Sequence, residues 1–269
     1  MSGPDGTETF EISAEVAERY ERKFVPALFA EWASDLLDAV ALHPGQSVLD
    51  VACGTGIVAR GAADLVGAGG RVVGLDSNPA MLTVARRIRP DVEWQHGDAA
   101  DLPFADGTFD AVLCQSALMF FPWPARALAE MARVVTREGT VGVQVPGRLE
   151  ASAGYVAFYD VVAQHAGADA VNLVSTYFAA GDPDKLAALV ESAGLAVTAL
   201  RTRIGHVRVD SIEEFVTTEI GSTPLVDRLS DDVVRKIVEG SNASLARFRT
   251  EDGRVAVPIE GHVITARRQ

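Results

Sequence analysis

The sequence predicts a doubly wound, mostly parallel seven-stranded α/β sheet with an antiparallel edge strand and helical cover insertions. Three observations predict it. Short apolar runs alternate with helical patterns from Ser47 to Val145, which is how a parallel sheet with crossover helices is written in sequence. A turn of small residues, Gly54-Thr55-Gly56, joins the first apolar run to the first helix after it. Ala196 to Val209 and Ala256 to Ala266 both alternate apolar and polar residues, so they can pair as a long antiparallel hairpin at the sheet edge.

In chain order, Val16, Tyr20, Val25, Leu28, Phe29, Trp32, Leu36, Leu37 and Val40 recur at helical spacing between Ile12 and Leu42. Pro26 interrupts them, which predicts two amphipathic helices. The motif His43-Pro44-Gly45 breaks the pattern, and the first strand follows over residues 47–52. A helix is expected at Ile57 to Leu65, a second strand at Arg71 to Leu75 ending on Asp76, and a helix at Pro79 to Ile88. Strands at Val92 to Gln95, Ala111 to Cys114 and Thr140 to Val145 continue the alternation, with a helix at Pro124 to Val135 before the last of them. Helical patterns at residues 152–166 and 183–193 precede the long hairpin, and helices at Ile212 to Glu219 and Asp231 to Phe248 lie between its strands.

The domain reading is one unit over residues 1–269. It has a helical cover at 1–42, a ligand-binding half at 43–150, and a second half at 151–269 with a helical insertion at 210–250. At 269 residues the chain suits one sizeable core rather than two. Apolar residues at 48% and charged residues at 23% are those of a folded globular protein. A formal charge of −13 opposes a phosphate backbone, so nucleic acid is not expected as a partner. Met1 to Phe10 has no signal pattern, and no apolar run is long enough to span a bilayer, so a cytoplasmic protein is expected, with a homodimer permitted. Cys53 and Cys114 sit in apolar runs without metal-site spacing and read as buried thiols, and no metal is expected.

The segment Val48 to Gly56, VLDVACGTG, carries the chemistry. Such a turn lets backbone approach a nucleotide-like ligand, and Gly54, Gly56 and Ala59 satisfy G-x-G-x-x-A, so a nicotinamide-dependent oxidoreductase is a competing reading. Asp50 tells the two apart, because a carboxylate buried at that strand end wants a cation, and a pyrophosphate is the opposite. Asp76, at the end of the next strand, is suited to two ribose hydroxyls. Asp98, after the third strand, is placed to accept a hydrogen bond from an adenine amine.

With these residues in place, the sequence resembles the class I S-adenosylmethionine-dependent methyltransferases, in the branch similar to ubiquinone and menaquinone biosynthesis enzymes. VLDVACGTG, VVGLDSNPAML, GDAADLPFADGTFDAVLCQSALMFFPW and EMARVVTREGTV follow that family's order and approximate spacing over about half of the chain. The resemblance implies S-adenosyl-L-methionine as cofactor, with Asp50 anchoring its amino group. Ala52, Gly54, Thr55 and Gly56 would line the methionine portion, and Asp76 would take the ribose. Ser77 and Met81 would flank the adenine, Asp98 and Ala99 would read its edge, and Gln115 would offer its backbone carbonyl to the amine. Many members have glycine where this chain has Ala52.

Each assignment has a plainer counterpart. Asp50 is also suited to capping the following turn, Asp98 is one of several loop acids, and Met81 fits a helix core. Phe120, Phe121 and Trp123 are candidates for walling a substrate space, as is Tyr20, although aromatic core packing explains them too. None of the five histidines has a motif; His165, with Tyr20, is a weak catalytic candidate. The expected reaction is methyl transfer to carbon or oxygen of a small, largely apolar acceptor such as a quinol, a polyketide-like or a lipid-like metabolite. A methyltransferase-fold protein with a different or lost reaction is the remaining alternative.

Overall fold

The computed structural model describes residues 13–221 and 228–269. Among these residues seven strands form one sheet: β1 (Ser47–Val51), β2 (Arg71–Asp76), β3 (Glu93–His96), β4 (Phe109–Gln115), β5 (Val135–Pro146), β6 (Leu195–Val209) and β7 (Val255–Arg268). Their order is β3-β2-β1-β4-β5-β7-β6. β1 to β5 pair in parallel, and β7 runs antiparallel to both β5 and β6. The antiparallel pair therefore closes one edge as expected, with β7 threaded between β5 and β6.

Helices cover both faces, because the parallel strands are apolar on both sides. α3 (Ile57–Val66) follows β1, and α4 (Pro79–Ile88) follows β2. α4 starts on Asn78, whose side chain accepts from the amides of Ala80 and Met81, with Pro79 in the first turn. α5 (Pro124–Val134) leads into β5, which begins at Val135 rather than at Thr140 because the chain stays extended straight out of the helix. α6 (Ala153–Ala166), α7 (Ala168–Ser175), a 3-10 turn at Thr176–Phe178 and α8 (Pro183–Ser192) precede β6. α9 (Ile212–Gly221) and α10 (Asp231–Ser244) lie between β6 and β7. α10 is shorter than the expected Asp231 to Phe248, whose last turn, Ala246–Phe248, is a 3-10 helix.

The amino-terminal cover corrects the sequence reading. Ile12, where the pattern begins, lies outside the described residues. The helical path then runs without a break through α1 (Ala14–Arg19), a π-helical stretch at Tyr20–Phe29 and α2 (Ala30–Val40). Pro26 falls inside the π-helical stretch. A wider turn tolerates the ring and the missing N–H that would split an α-helix, so two expected helices are one.

This cover is anchored at the β6–β7 edge of the sheet and at the turn after β1. Trp32 lies over β6 and β7, where a Cβ on Gly205 or Gly261 would come within 2.7 or 2.4 Å of its indole. The Arg203 guanidinium stacks on the same ring at 4.3 Å. Arg60 of α3 bonds both the Glu21 carboxylate at 3.0 Å and the Thr55 carbonyl at 2.7 Å, tying the cover to the glycine turn. Cys53 and Cys114 are buried free thiols. No helix among the described residues is long and apolar enough to cross a membrane.

Candidate functional site

The site lies where β1, β2 and β4 end. After Val51 the chain turns through three left-handed residues, Ala52 (φ +56°), Gly54 (+55°) and Gly56 (+89°). The Gly54 amide donates to Asp76 Oδ2 at 2.8 Å and the Asn78 amide to Asp76 Oδ1 at 2.8 Å, so the β2 carboxylate fixes the turn after β1. Burial pushes the Asp76 carboxyl above its ordinary range, against the pull of those two amides.

The three turn residues differ in what they need. A Cβ on Gly54 would come no closer than 3.7 Å to anything, the nearest atom being the Tyr20 hydroxyl, so Gly54 leaves its backbone open toward Tyr20. A Cβ on Gly56 would lie 2.2 Å from the Trp94 indole, which also fills the space above Gly74. Packing against β3 therefore demands that glycine. Ala52 adopts a left-handed conformation that costs a side-chain-bearing residue about 1–2 kcal/mol, a conformational reason for glycine at that place.

Asp50 is buried and its Oδ2 accepts from the Ala59 amide of α3 at 2.9 Å; burial pushes its carboxyl up to about 8. Among the described residues it meets no direct cationic partner, and Arg60 acts on it only at a distance. Two buried polar atoms nearby have no hydrogen-bond partner among the described residues: Thr55 Oγ1 and Gln115 Oε1. Gln115 is oriented by its own Nε2, which donates to the Phe29 carbonyl at 2.8 Å.

The remaining candidates divide. The Ser77 carbonyl lies 3.0 Å from His96 Nε2. Met81 packs with Ala17 and Val84, beside Tyr20. Asp98 is exposed and its Oδ1 accepts from the Ala100 amide at 2.8 Å, while Ala99 is buried. Tyr20 is half-buried, stacks on Phe29 at 5.2 Å, and its phenol is pushed up by burial and by the negative charge of Asp76, Glu21 and Asp50 together with Tyr177. Phe120 approaches Tyr177 at 6.4 Å, and Phe121 packs into the core under α5.

Two candidates are placed elsewhere. Trp123 is 50% exposed, just before Pro124 opens α5, so it is not an inner wall. His165 faces α10, where a Cβ on Gly240 would be 3.5 Å from its Nε2, whereas Tyr20 is grouped with Asp50, Asp76 and Tyr177.

Sequence reasoning missed three groups. Ser116 follows β4 in a left-handed conformation (φ +50°) and donates to Gln144 Oε1 at 2.7 Å. Tyr177 lies near Ser116, and burial pushes its phenol up. Glu219 of α9 accepts from the Tyr155 hydroxyl at 2.7 Å, and burial pushes its carboxyl up to about 7. The signal for Glu219 was present: it occupies a slot in the stripe Ile212, Phe215, Val216, Ile220, all buried.

Residues 49–143 match the family model described as a methyltransferase domain. A demethylmenaquinone methyltransferase of Renibacterium salmoninarum is 47% identical over 112 residues, covering 42% of this chain and 46% of that protein. The chain thus matches less than half the length of that curated relative. The structure of a candidate methyltransferase from Bacillus halodurans superposes with a TM-score of 0.61 at 24% identity, over 87% of this chain and 97% of the other. A SAM-dependent methyltransferase from Aquifex aeolicus gives 0.53 at 18% identity, over 71% and 92%. The fold is that of these two solved structures, and residues 49–143 are similar to a methyltransferase domain and to the matching stretch of the menaquinone-type relative.

Proposed function

We propose that the protein transfers a methyl group from S-adenosyl-L-methionine to carbon or oxygen of a small, largely apolar acceptor of the quinol kind. The observation that carries this reading is Asp76, held by the Gly54 and Asn78 amides at the end of β2 beside a turn open toward Tyr20. The site fits a cationic, nucleoside-bearing group: the carboxylates of Asp50, Asp76 and Glu21 lie near Tyr20, and Gln115 Oε1 is a buried acceptor without a donor among the described residues. The menaquinone-type relative supports the acceptor class. The family match takes in the glycine turn, Asp76 and Asp98 together, which favours this reading over a nicotinamide enzyme.

When bound, the cofactor supplies an electrophilic methyl carbon on a sulfonium. In the chain, Asp76 takes the ribose hydroxyls, Ser77 and Met81 flank the adenine, and Asp98 with Ala99 borders its edge. Ala52, Gly54, Thr55 and Gly56 line the methionine portion, with Asp50 and Gln115 receiving its amino group. Of the described residues, those of 1–42 cover the site, 43–150 hold the donor, and those of 151–269, with the insertion at 210–250, build the acceptor side. Holding donor and acceptor in line in this way is worth up to about 7–11 kcal/mol of barrier.

Calorimetric titration with S-adenosylhomocysteine tests the reading. Asp76→Ala is expected to weaken binding by roughly 1.5–3 kcal/mol for each charge-assisted bond lost. Wild-type protein that binds neither S-adenosylhomocysteine nor S-adenosylmethionine ends the proposal; equal affinity in the variant ends the ribose assignment.

A further inference from the structure

Thr55 Oγ1 and Gln115 Oε1, the two buried polar atoms of the site without a hydrogen-bond partner among the described residues, have a second property in common. Each belongs to a residue whose other polar group holds the amino-terminal cover. The Thr55 carbonyl accepts from Arg60 at 2.7 Å, and the same guanidinium grips the Glu21 carboxylate at 3.0 Å, near the start of the π-helical stretch Tyr20–Phe29. Gln115 Nε2 donates at 2.8 Å to the carbonyl of Phe29, the last residue of that stretch. The two holds therefore clasp one stretch at its two ends.

Between the holds, the stretch lies against the glycine turn. Tyr20 stacks on Phe24 at 5.9 Å and on Phe29 at 5.2 Å, and its hydroxyl is the atom nearest a Cβ placed on Gly54, at 3.7 Å. Phe24, Val25, Ala27, Leu28 and Phe29 are buried, so lifting the stretch puts apolar surface into water. Thr55 is only 1% exposed, and both orphaned atoms are closed off from solvent.

The two atoms ask for different partners. An amide oxygen only accepts, so Gln115 Oε1 needs an N–H; a hydroxyl donates, so Thr55 Oγ1 suits an anionic oxygen. The ammonium and carboxylate of one α-amino acid group supply both. A charged donor on Oε1 also polarises the amide and strengthens the bond that its Nε2 makes to Phe29.

We propose that Thr55 and Gln115 are positioning residues that lock the π-helical stretch over the amino-acid end of the methyl donor. The inference rests on the methyltransferase reading above. The stretch lifts to admit the donor, and the donor's ammonium and carboxylate then complete the hydrogen bonding of the two residues that clasp it. The nucleoside end, held at Asp76, uses neither atom and leaves the stretch unlocked. Binding and locking are reciprocal, so whatever weakens one weakens the other by the same factor.

The test is hydrogen exchange at the amides of residues 20–33 in the full chain, saturated either with S-adenosylhomocysteine or with 5′-methylthioadenosine, which keeps the nucleoside and lacks the amino-acid end. S-adenosylhomocysteine should slow exchange there by about 5–150-fold, and 5′-methylthioadenosine by less than about twofold. Thr55→Val, which removes only the orphaned hydroxyl, and Gln115→Met should lose most of that slowing even at saturation and bind S-adenosylhomocysteine correspondingly more weakly. Thr55→Ser should recover both. Equal slowing by the two ligands overturns the inference, as does wild type that binds S-adenosylhomocysteine with unchanged exchange, or Thr55→Val with the full effect. Should a variant fail to fold or 5′-methylthioadenosine fail to bind, the other comparison decides. Wild type that binds no S-adenosylhomocysteine at all overturns instead the reading beneath.

Discussion

Asp50 and Glu219 are both carboxylates in apolar surroundings, and they differ in how visible they are before folding. Asp50 interrupts a short apolar run just ahead of a glycine turn, so its position alone marks it. Its bond to the Ala59 amide was visible only as the plainer alternative of a turn cap. Glu219 lies among three acids of one helix, and only helical phase separates it from the exposed Glu213 and the ion-paired Glu214. Burial also makes Asp50 a pH-dependent element of stability. Its carboxyl is at about 8 in the folded chain against 3.8 in the unfolded one, so the folded state binds the extra proton. Its contribution is complete below 3.8 and is lost progressively as pH rises through about 8. Urea midpoints measured across that window should fall more steeply for wild type than for Asp50→Asn, by up to about 1.4 kcal/mol per pH unit. Parallel slopes would show that Asp50 ionises normally in the fold.

Among the elements, boundaries of the strands and crossover helices were legible to within a few residues apart from the early start of β5, since periodicity and caps such as Asn78-Pro79 are local. The π-helical stretch was not, because the pattern records Pro26 but not the wider turn that accommodates it. α7 and the turn at Thr176–Phe178 went unread as well; helix α7 follows Gly167 with no side-chain cap to announce it. Spacing also hides why Gly56 is glycine, since the indole that demands it comes from β3, far along the chain. Gly56→Ala should cost about 2–5 kcal/mol, from overpacking together with the left-handed backbone. Adding Trp94→Leu should return the packing part and leave the backbone part, which a double-mutant cycle of denaturation midpoints separates. A cycle with no coupling would mean the two residues do not share that space.

For the whole molecule, the doubly wound half was legible because each crossover is short, and the long hairpin because both strands alternate over many residues. What holds the cover to the sheet was not, as it depends on Trp32 meeting two glycines and one arginine from distant strands. Trp32→Ala should lower stability by about 3–5 kcal/mol in urea unfolding, with the sheet and cover lost in one transition. A separate early transition for the cover would show that the contact is dispensable to the rest. The strand order has a consequence for synthesis. β6 is made well before β7, yet among the described residues β7 is its sole neighbour and stands between it and β5. A nascent chain that has passed Val209 therefore carries two unpaired edges at once, and the ribosome must supply the wedge that fits between them before either is safe from other chains.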